Sequence, residues 1–141
     1  MTTIASRPLP IPTFDTAAFW EGCRGGRLLL QRCTACARLQ FYPRKYCTAC
    51  MADALAWEEA SGRGVIYSHT TVHRALSPAF QDQLPYIVVA VDLAEGPRMI
   101  SRLIDCAPEA VSVGMPVVVA FEAASPEIAL PVFRPVSASR E

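Results

Sequence analysis

No run in this 141-residue sequence approaches the roughly 20 consecutive apolar residues that span a bilayer. The opening stretch from Met1 to Phe14 lacks the apolar core of a secretory signal. A cytoplasmic protein with no membrane segment is therefore expected. Charge of one sign is not in overall excess, since 13 Lys and Arg balance 13 Asp and Glu. Common catalytic motifs are missing: there is no G-x-S-x-G, no Walker loop, no G-x-G-x-x-G and no H-E-x-x-H. Long helices are disfavoured by 12 Pro and 7 Gly, which call for turns between short elements. What is present is a 52% hydrophobic and 18% charged composition, too apolar for a disordered chain. The length suits one domain, or two small lobes sharing a core.

Pro8, Pro10 and Pro12 alternate near the start and predict an extended arm. Asp15 and Thr16 offer acceptors to the free N–H groups of a helix start, and Gly25-Gly26 offers a stop. A short helix is predicted from Asp15 to Arg24, anchored by Phe19 and Trp20. Leu28 to Arg32 reads as a short strand. Beyond Met51 the pattern turns to β-branched and aromatic residues, and five strands are predicted. They run over Val65 to His73, Pro85 to Leu93, Arg98 to Cys106, Met115 to Phe121 and Leu130 to Val136. Pro131 and Pro135 push the last toward a sheet edge. Ala107 to Gly114 has room for one helical turn. Five strands at this spacing suggest a small closed or nearly closed barrel, so the fold class is mainly β.

The cysteines carry the strongest chemical signal. Cys33-Thr34-Ala35-Cys36 is followed, ten residues later, by Cys47-Thr48-Ala49-Cys50. Each C-x-x-C turns back on itself and presents two sulfurs, so two facing pairs can surround one tetrahedral ion. Zinc is the default, and with four thiolates the site is closed and structural. Disulfides are disfavoured in a reducing compartment. Iron in a rubredoxin-type site is the competing reading, which spacing leaves open. Ala37 and Met51 stand where such knuckles commonly carry Gly. Cys23 and Cys106 could each be a nucleophile, but neither sits beside a recognisable base, so both read as small buried thiols. His69 and His73, four apart on one predicted strand, share a face and suggest a structural or partner-facing role.

The neutral total hides an asymmetry. Met1 to Cys50 holds seven basic and two acidic residues, a net +5, whereas Met51 to Glu141 is net −5. These are either two ordinary solvated surfaces or a basic front for a polyanion, such as nucleic acid or a cofactor's phosphates. The loop from Ala75 to Leu84 is apolar for a strand connection. Its Leu76, Pro78 and Phe80 pack on their own barrel, or insert into a partner or beside an acyl chain.

Several short motifs then follow in a specific order. Gly26-Arg27-Leu28-Leu29-Leu30-Gln31-Arg32-Cys33 comes after Phe19-Trp20. The paired C-x-x-C motifs, Ser61-Gly62-Arg63-Gly64, Val72-His73-Arg74, Glu95-Gly96-Pro97-Arg98, Gly114-Met115-Pro116-Val117 and Leu130-Pro131-Val132-Phe133-Arg134-Pro135 continue it. From about Phe14 to Pro135 the chain resembles the DUF35 family of OB-fold proteins with a rubredoxin-like zinc ribbon. The resemblance implies an arm and helix over 1–26, a zinc ribbon over 27–57 and a five-stranded OB-fold barrel over 58–141. It implies Cys33, Cys36, Cys47 and Cys50 as ligands of one structural zinc. It also implies a non-catalytic accessory subunit of acyl-CoA and lipid metabolism, working in a hetero-oligomer. The expected partner is a thiolase-like enzyme (thiolase, aldolase or acyltransferase) or a MaoC-type enoyl-CoA hydratase.

Acyl-CoA as a ligand brings phosphates and an apolar tail. Arg24, Arg44, Lys45 and Arg74 are the expected countercharges, and the Leu76, Pro78 and Phe80 loop is the expected apolar shield. A nucleic-acid-binding module and an iron electron carrier are the readings of other classes. The net −5 of the barrel half speaks against nucleic acid.

Overall fold

The structure, a computed structural model, describes residues 9–75 and 78–136. Among the described residues its elements are one α-helix, α1 (Ala17–Arg24), two short 3-10 helices and eight strands. Three strands make a small sheet: β1 (Leu29–Cys33), β2 (Leu39–Gln40) and β3 (Leu55–Glu59), in the order β2-β1-β3. The other five are β4 (Arg63–Val72), β5 (Tyr86–Leu93), β6 (Arg98–Leu103), β7 (Pro116–Ala123) and β8 (Ala129–Pro135). They close a barrel in the order β4-β5-β6-β8-β7. The mainly β class, the short helix and the closed barrel are as the sequence led us to expect.

The helix starts two residues later than expected. Thr16 makes no side-chain cap. Its hydroxyl instead accepts the Thr13 N–H at 2.8 Å, while the Thr13 carbonyl accepts the N–H groups of Thr16 and Ala17. The polar turn before the helix thus satisfies the first donors through backbone rather than through Asp15. Phe19, at 1% exposure, joins the lobes: its ring lies 5.6 Å from Phe41 and 5.7 Å from Tyr42 of the small sheet's loop. Phe19 and Trp20 also belong to one continuous core with Ile66, Val89, Val91, Val117 and Phe133 of the barrel.

Strand β5 shows why the barrel forms. Ile87, Val89, Val91 and Leu93 alternate inward and are all nearly inaccessible, each burial worth roughly 1.5–3 kcal/mol. The long β4 pairs with both β5 and β7 and so closes the barrel. Its register shifts between Ile66 and Ser68, leaving Tyr67 as a bulge. The strand ends at Val72, so His73 lies beyond it, and the expected shared strand face with His69 does not form. Strand β6 likewise stops at Leu103 rather than Cys106, because Asp105 takes a left-handed conformation with φ 57°. Cys23 is fully buried, and that burial pushes its thiol up to about 12. Cys106 is only half-buried, its thiol donating to the Ala107 carbonyl at 3.4 Å. Strands β2 and β3 were not foreseen.

Strand β8 pairs along its whole length with β7 but at one residue pair, Leu103 with Phe133, with the parallel β6. The Phe133 carbonyl points toward β6, accepting Ile104 N–H at 2.8 Å. Residues two apart share that direction, so Pro131 and Pro135 place their missing donors on this sparsely paired side. β8 is therefore not the edge strand the prolines suggested: it lies between β6 and β7 in the closed barrel, with the prolines on its sparsely paired side.

A four-cysteine centre beside an apolar groove

The two knuckles have the same backbone design. In the first, the Cys33 carbonyl accepts Ala37 N–H at 2.7 Å and Cys33 N–H reaches the Arg38 carbonyl at 2.9 Å. In the second, the Cys47 carbonyl accepts Met51 N–H at 2.9 Å and Cys47 N–H reaches the Ala52 carbonyl at 2.8 Å. Ala37 and Met51, the positions without Gly, hold left-handed backbone with φ 69° and 67°. Arg32 secures the first turn by donating to the Ala37 carbonyl at 2.6 Å and to both Glu58 oxygens.

These turns bring Cys33, Cys36, Cys47 and Cys50 together, with all four sulfurs within 4.8 Å of one another. Cys33 to Cys50 and Cys36 to Cys47 are each 3.6 Å apart. A tetrahedral ion with metal–sulfur bonds of about 2.3 Å needs sulfurs about 3.8 Å apart, and a disulfide needs about 2 Å. The donor set and spacing therefore fit a four-coordinate metal and not two disulfides. Cys33 and Cys47 are buried and Cys36 and Cys50 exposed. The N–H groups of Cys50 and Ala49 point at the Cys47 sulfur and lower its thiol to about 6. The Cys36 N–H acts first on Cys33, also downward. These dipoles favour thiolate, the form a metal requires, on Cys33 and Cys47. Cys36 and Cys50 go up: backbone N–H groups of Arg38 and Ala52 pull them down, but hydrogen bonding to the neighbouring thiols and burial outweigh that. A metal held here has four protein ligands and no open position, so its contribution is structural.

The loop between the knuckles is held by two buried glutamines that sequence reasoning missed. Gln31 and Gln40 face each other across β1 and β2 and are 5% and 6% exposed. Gln31 Nε2 donates to the Arg44 carbonyl at 2.9 Å, and its Oε1 accepts Arg44 N–H at 2.8 Å. The same Oε1 accepts Gln40 Nε2 at 2.8 Å. Gln40 Oε1 in turn accepts Thr48 N–H at 2.9 Å, and Gln40 Nε2 reaches the Tyr46 carbonyl at 3.3 Å. In a strand, such polar residues look like ordinary solvent-facing positions, and only their burial marks them.

A groove of about 480 Å³ lies between α1, this loop and the barrel. Phe19, Trp20 and Tyr42 form one wall, and Phe80, Met99 and Leu130 form another. Its polar end is Arg102, which pairs with Glu122 at 2.8 Å and also contacts Gln83. Phe80 sits on a 3-10 helix, Pro78–Gln83, and packs 6.1 Å from Tyr86. Of the apolar loop residues singled out from sequence, Phe80 lines the groove, Pro78 is exposed outside it, and Leu76 lies outside the described residues. Arg24, Arg44, Lys45 and Arg74 are exposed, and none lines the groove. Arg24 ends α1, Arg74 follows β4, and Arg44 and Lys45 occupy the glutamine-held loop. The basic front is also smaller than the sequence split implied. Glu58 and Glu59 of β3 pair with Arg32 and Arg27.

The chain was then compared with known proteins. Family models describe residues 20–56 as a "ChsH2, rubredoxin-like zinc ribbon domain" and residues 57–122 as a "ChsH2, C-terminal OB-fold domain". A solved chain titled "Ltp2-ChsH2(DUF35) aldolase" is 39% identical with a TM-score of 0.81, covering 90% of this chain and 98% of that one. The chain belongs to the DUF35 family. A DUF35 domain-containing scaffold protein of Methanocaldococcus jannaschii is 35% identical over 64% of each chain. A probable enoyl-CoA hydratase alpha subunit of Thermomonospora curvata is 40% identical over 97% of this chain, which spans only 42% of that protein's length. Among the described residues of this DUF35 chain, no helix is long and apolar enough to cross a membrane.

Proposed function

We propose that this chain is an accessory subunit of an acyl-CoA-processing complex, supporting a thiolase-like partner without supplying catalytic residues. One observation carries the reading: the chain matches, nearly end to end, a solved chain titled "Ltp2-ChsH2(DUF35) aldolase". The built site supports it. An apolar groove suits the acyl part of a thioester. Arg44 and Lys45, with Arg24 and Arg74, are the proposed countercharges for coenzyme A phosphates. Zinc is the ion we assign to the four cysteines, because it accepts tetrahedral thiolate without redox chemistry.

A MaoC-type hydratase is the second reading. It rests on the names of two relatives, the Thermomonospora curvata protein and a Mycobacterium tuberculosis 3-oxo-4,17-pregnadiene-20-carboxyl-CoA hydratase alpha subunit. The latter is 32% identical over 77% of this chain and 34% of its own length. Affinity capture of the tagged chain from its own cells decides between them. Stoichiometric recovery of a thiolase-like enzyme supports the first reading, and a hydratase-like one supports the second. The isolated chain is expected to show no turnover of acyl-CoA until the partner is added. Recovery of nucleic acid, or turnover by the chain alone, would overturn the accessory role.

A further inference from the structure

We infer that Gln31 and Gln40 act as positioning residues that couple the metal knuckle to the 41–46 segment, so that metal occupancy governs one groove wall and the Arg44–Lys45 tip. The inference concerns the chain alone and holds whichever enzyme it joins.

The connection is continuous. Thr48 lies between Cys47 and Cys50, and its N–H is held by Gln40 Oε1 at 2.9 Å. Gln40 Nε2 passes the constraint to Gln31 Oε1 at 2.8 Å. Gln31 closes on the peptide of Arg44 from both sides, accepting its N–H and donating to its carbonyl. Arg44 N–H and Thr48 N–H both require an acceptor, so the orientation of each amide is dictated rather than free. Two to three residues before Arg44, Phe41 and Tyr42 turn back to meet Phe19 and line the groove. The segment has no strand ladder of its own, since β2 ends at Gln40. Its Arg44 backbone is held by Gln31 side-chain bonds. Neither glutamine touches a sulfur. Their influence on the metal runs through the second knuckle, and linkage makes it reciprocal: if the metal orders Arg44 through them, breaking them must weaken the metal.

The test uses the full chain and zinc titrated against a chromophoric chelator, together with amide exchange measured by NMR. Gln31→Met keeps the length of the side chain and removes its hydrogen bonds. In the zinc-loaded Q31M protein, Arg44 N–H should exchange at least tenfold faster and the Tyr42 ring resonances should move. Zinc affinity should fall about tenfold, the low end of the loss seen when a group bonded directly to a metal ligand is removed, since Gln31 acts through Gln40 and the second knuckle. Gln40→Met should do the same, and the double variant should bind zinc no more weakly than Q40M, because the pair acts as one unit. Unchanged affinity in Q31M, or fully additive losses, would overturn the coupling. If Q31M fails to fold, the wild-type chain stripped of zinc decides. Protection should vanish at Arg44 and Thr48 while Val89 and Val91 in the barrel stay protected, and survival of Arg44 protection would sink the inference.

Discussion

Single residues hold the metal knuckles at a measurable cost. Ala37 and Met51 sit at φ near 69° and 67°, where a Cβ crowds the following carbonyl by about 1–2 kcal/mol. Glycine removes that strain and loses about 0.4–1 kcal/mol in chain entropy. Ala37→Gly should therefore stabilise the metal-loaded chain, by about 0.5–1 kcal/mol, raising the urea midpoint. Ala35→Gly, at a position outside the left-handed set, should lower it. The sequence shows both non-glycine residues at these turns but not what offsets them. At Ala37 the structure supplies a bond from Arg32 to the carbonyl, and at Met51 the knuckle's own N–H bond to the Cys47 carbonyl. Gln31 and Gln40 were invisible for a different reason, since a polar residue's burial depends on what a distant loop lays over it.

Elements were legible in proportion to how much they bury. β5 alternates Ile, Val and Leu toward the interior, whereas β4 buries only Ile66 and was legible through its β-branched and aromatic residues; each of the five barrel strands was readable to within a few residues. β2 has two residues and β3 is mostly exposed, so neither carries a hydrophobic period. Backbone pairing with β1 and the cysteine turns make them strands. The β6–β8 seam is the barrel's weak closure, and side chains compensate for the missing ladder. Ser101 Oγ donates to the Pro131 carbonyl at 2.6 Å across it. Ser101→Ala leaves that carbonyl without its partner, so the barrel should lose about 1 kcal/mol in equilibrium unfolding. Ser68→Ala is the control: Ser68 lies on β4 opposite Ala90 of β5 and is exposed, so its effect should be within about 0.5 kcal/mol.

At the scale of the whole molecule, charge and groove meet at the loop between the knuckles. The sequence split at residue 50 gave a basic front of +5. The fold moves the boundary, because β3 adds Glu58 and Glu59 to the ribbon and they pair with Arg32 and Arg27. The groove could not be read from sequence, since its walls come from residues scattered from Phe19 to Leu130 that only the closed barrel brings together. Arg44 and Lys45 belong to the same segment that places Tyr42 in the groove, so one short loop carries both the proposed phosphate countercharges and part of the groove wall. Reversing both charges, with Arg44→Glu and Lys45→Glu, should weaken acyl-CoA binding to the assembled complex at least tenfold. A charge-assisted phosphate contact is worth roughly 1.5–3 kcal/mol. Zinc content and complex assembly should be unchanged, because Gln31 grips the Arg44 backbone and not its side chain. The residual affinity should also vary less with salt, as expected when ionic contacts are removed. Calorimetry on the complex at two salt concentrations reads both effects. An unchanged dissociation constant would move the phosphates elsewhere and leave the groove as the chain's contribution to binding.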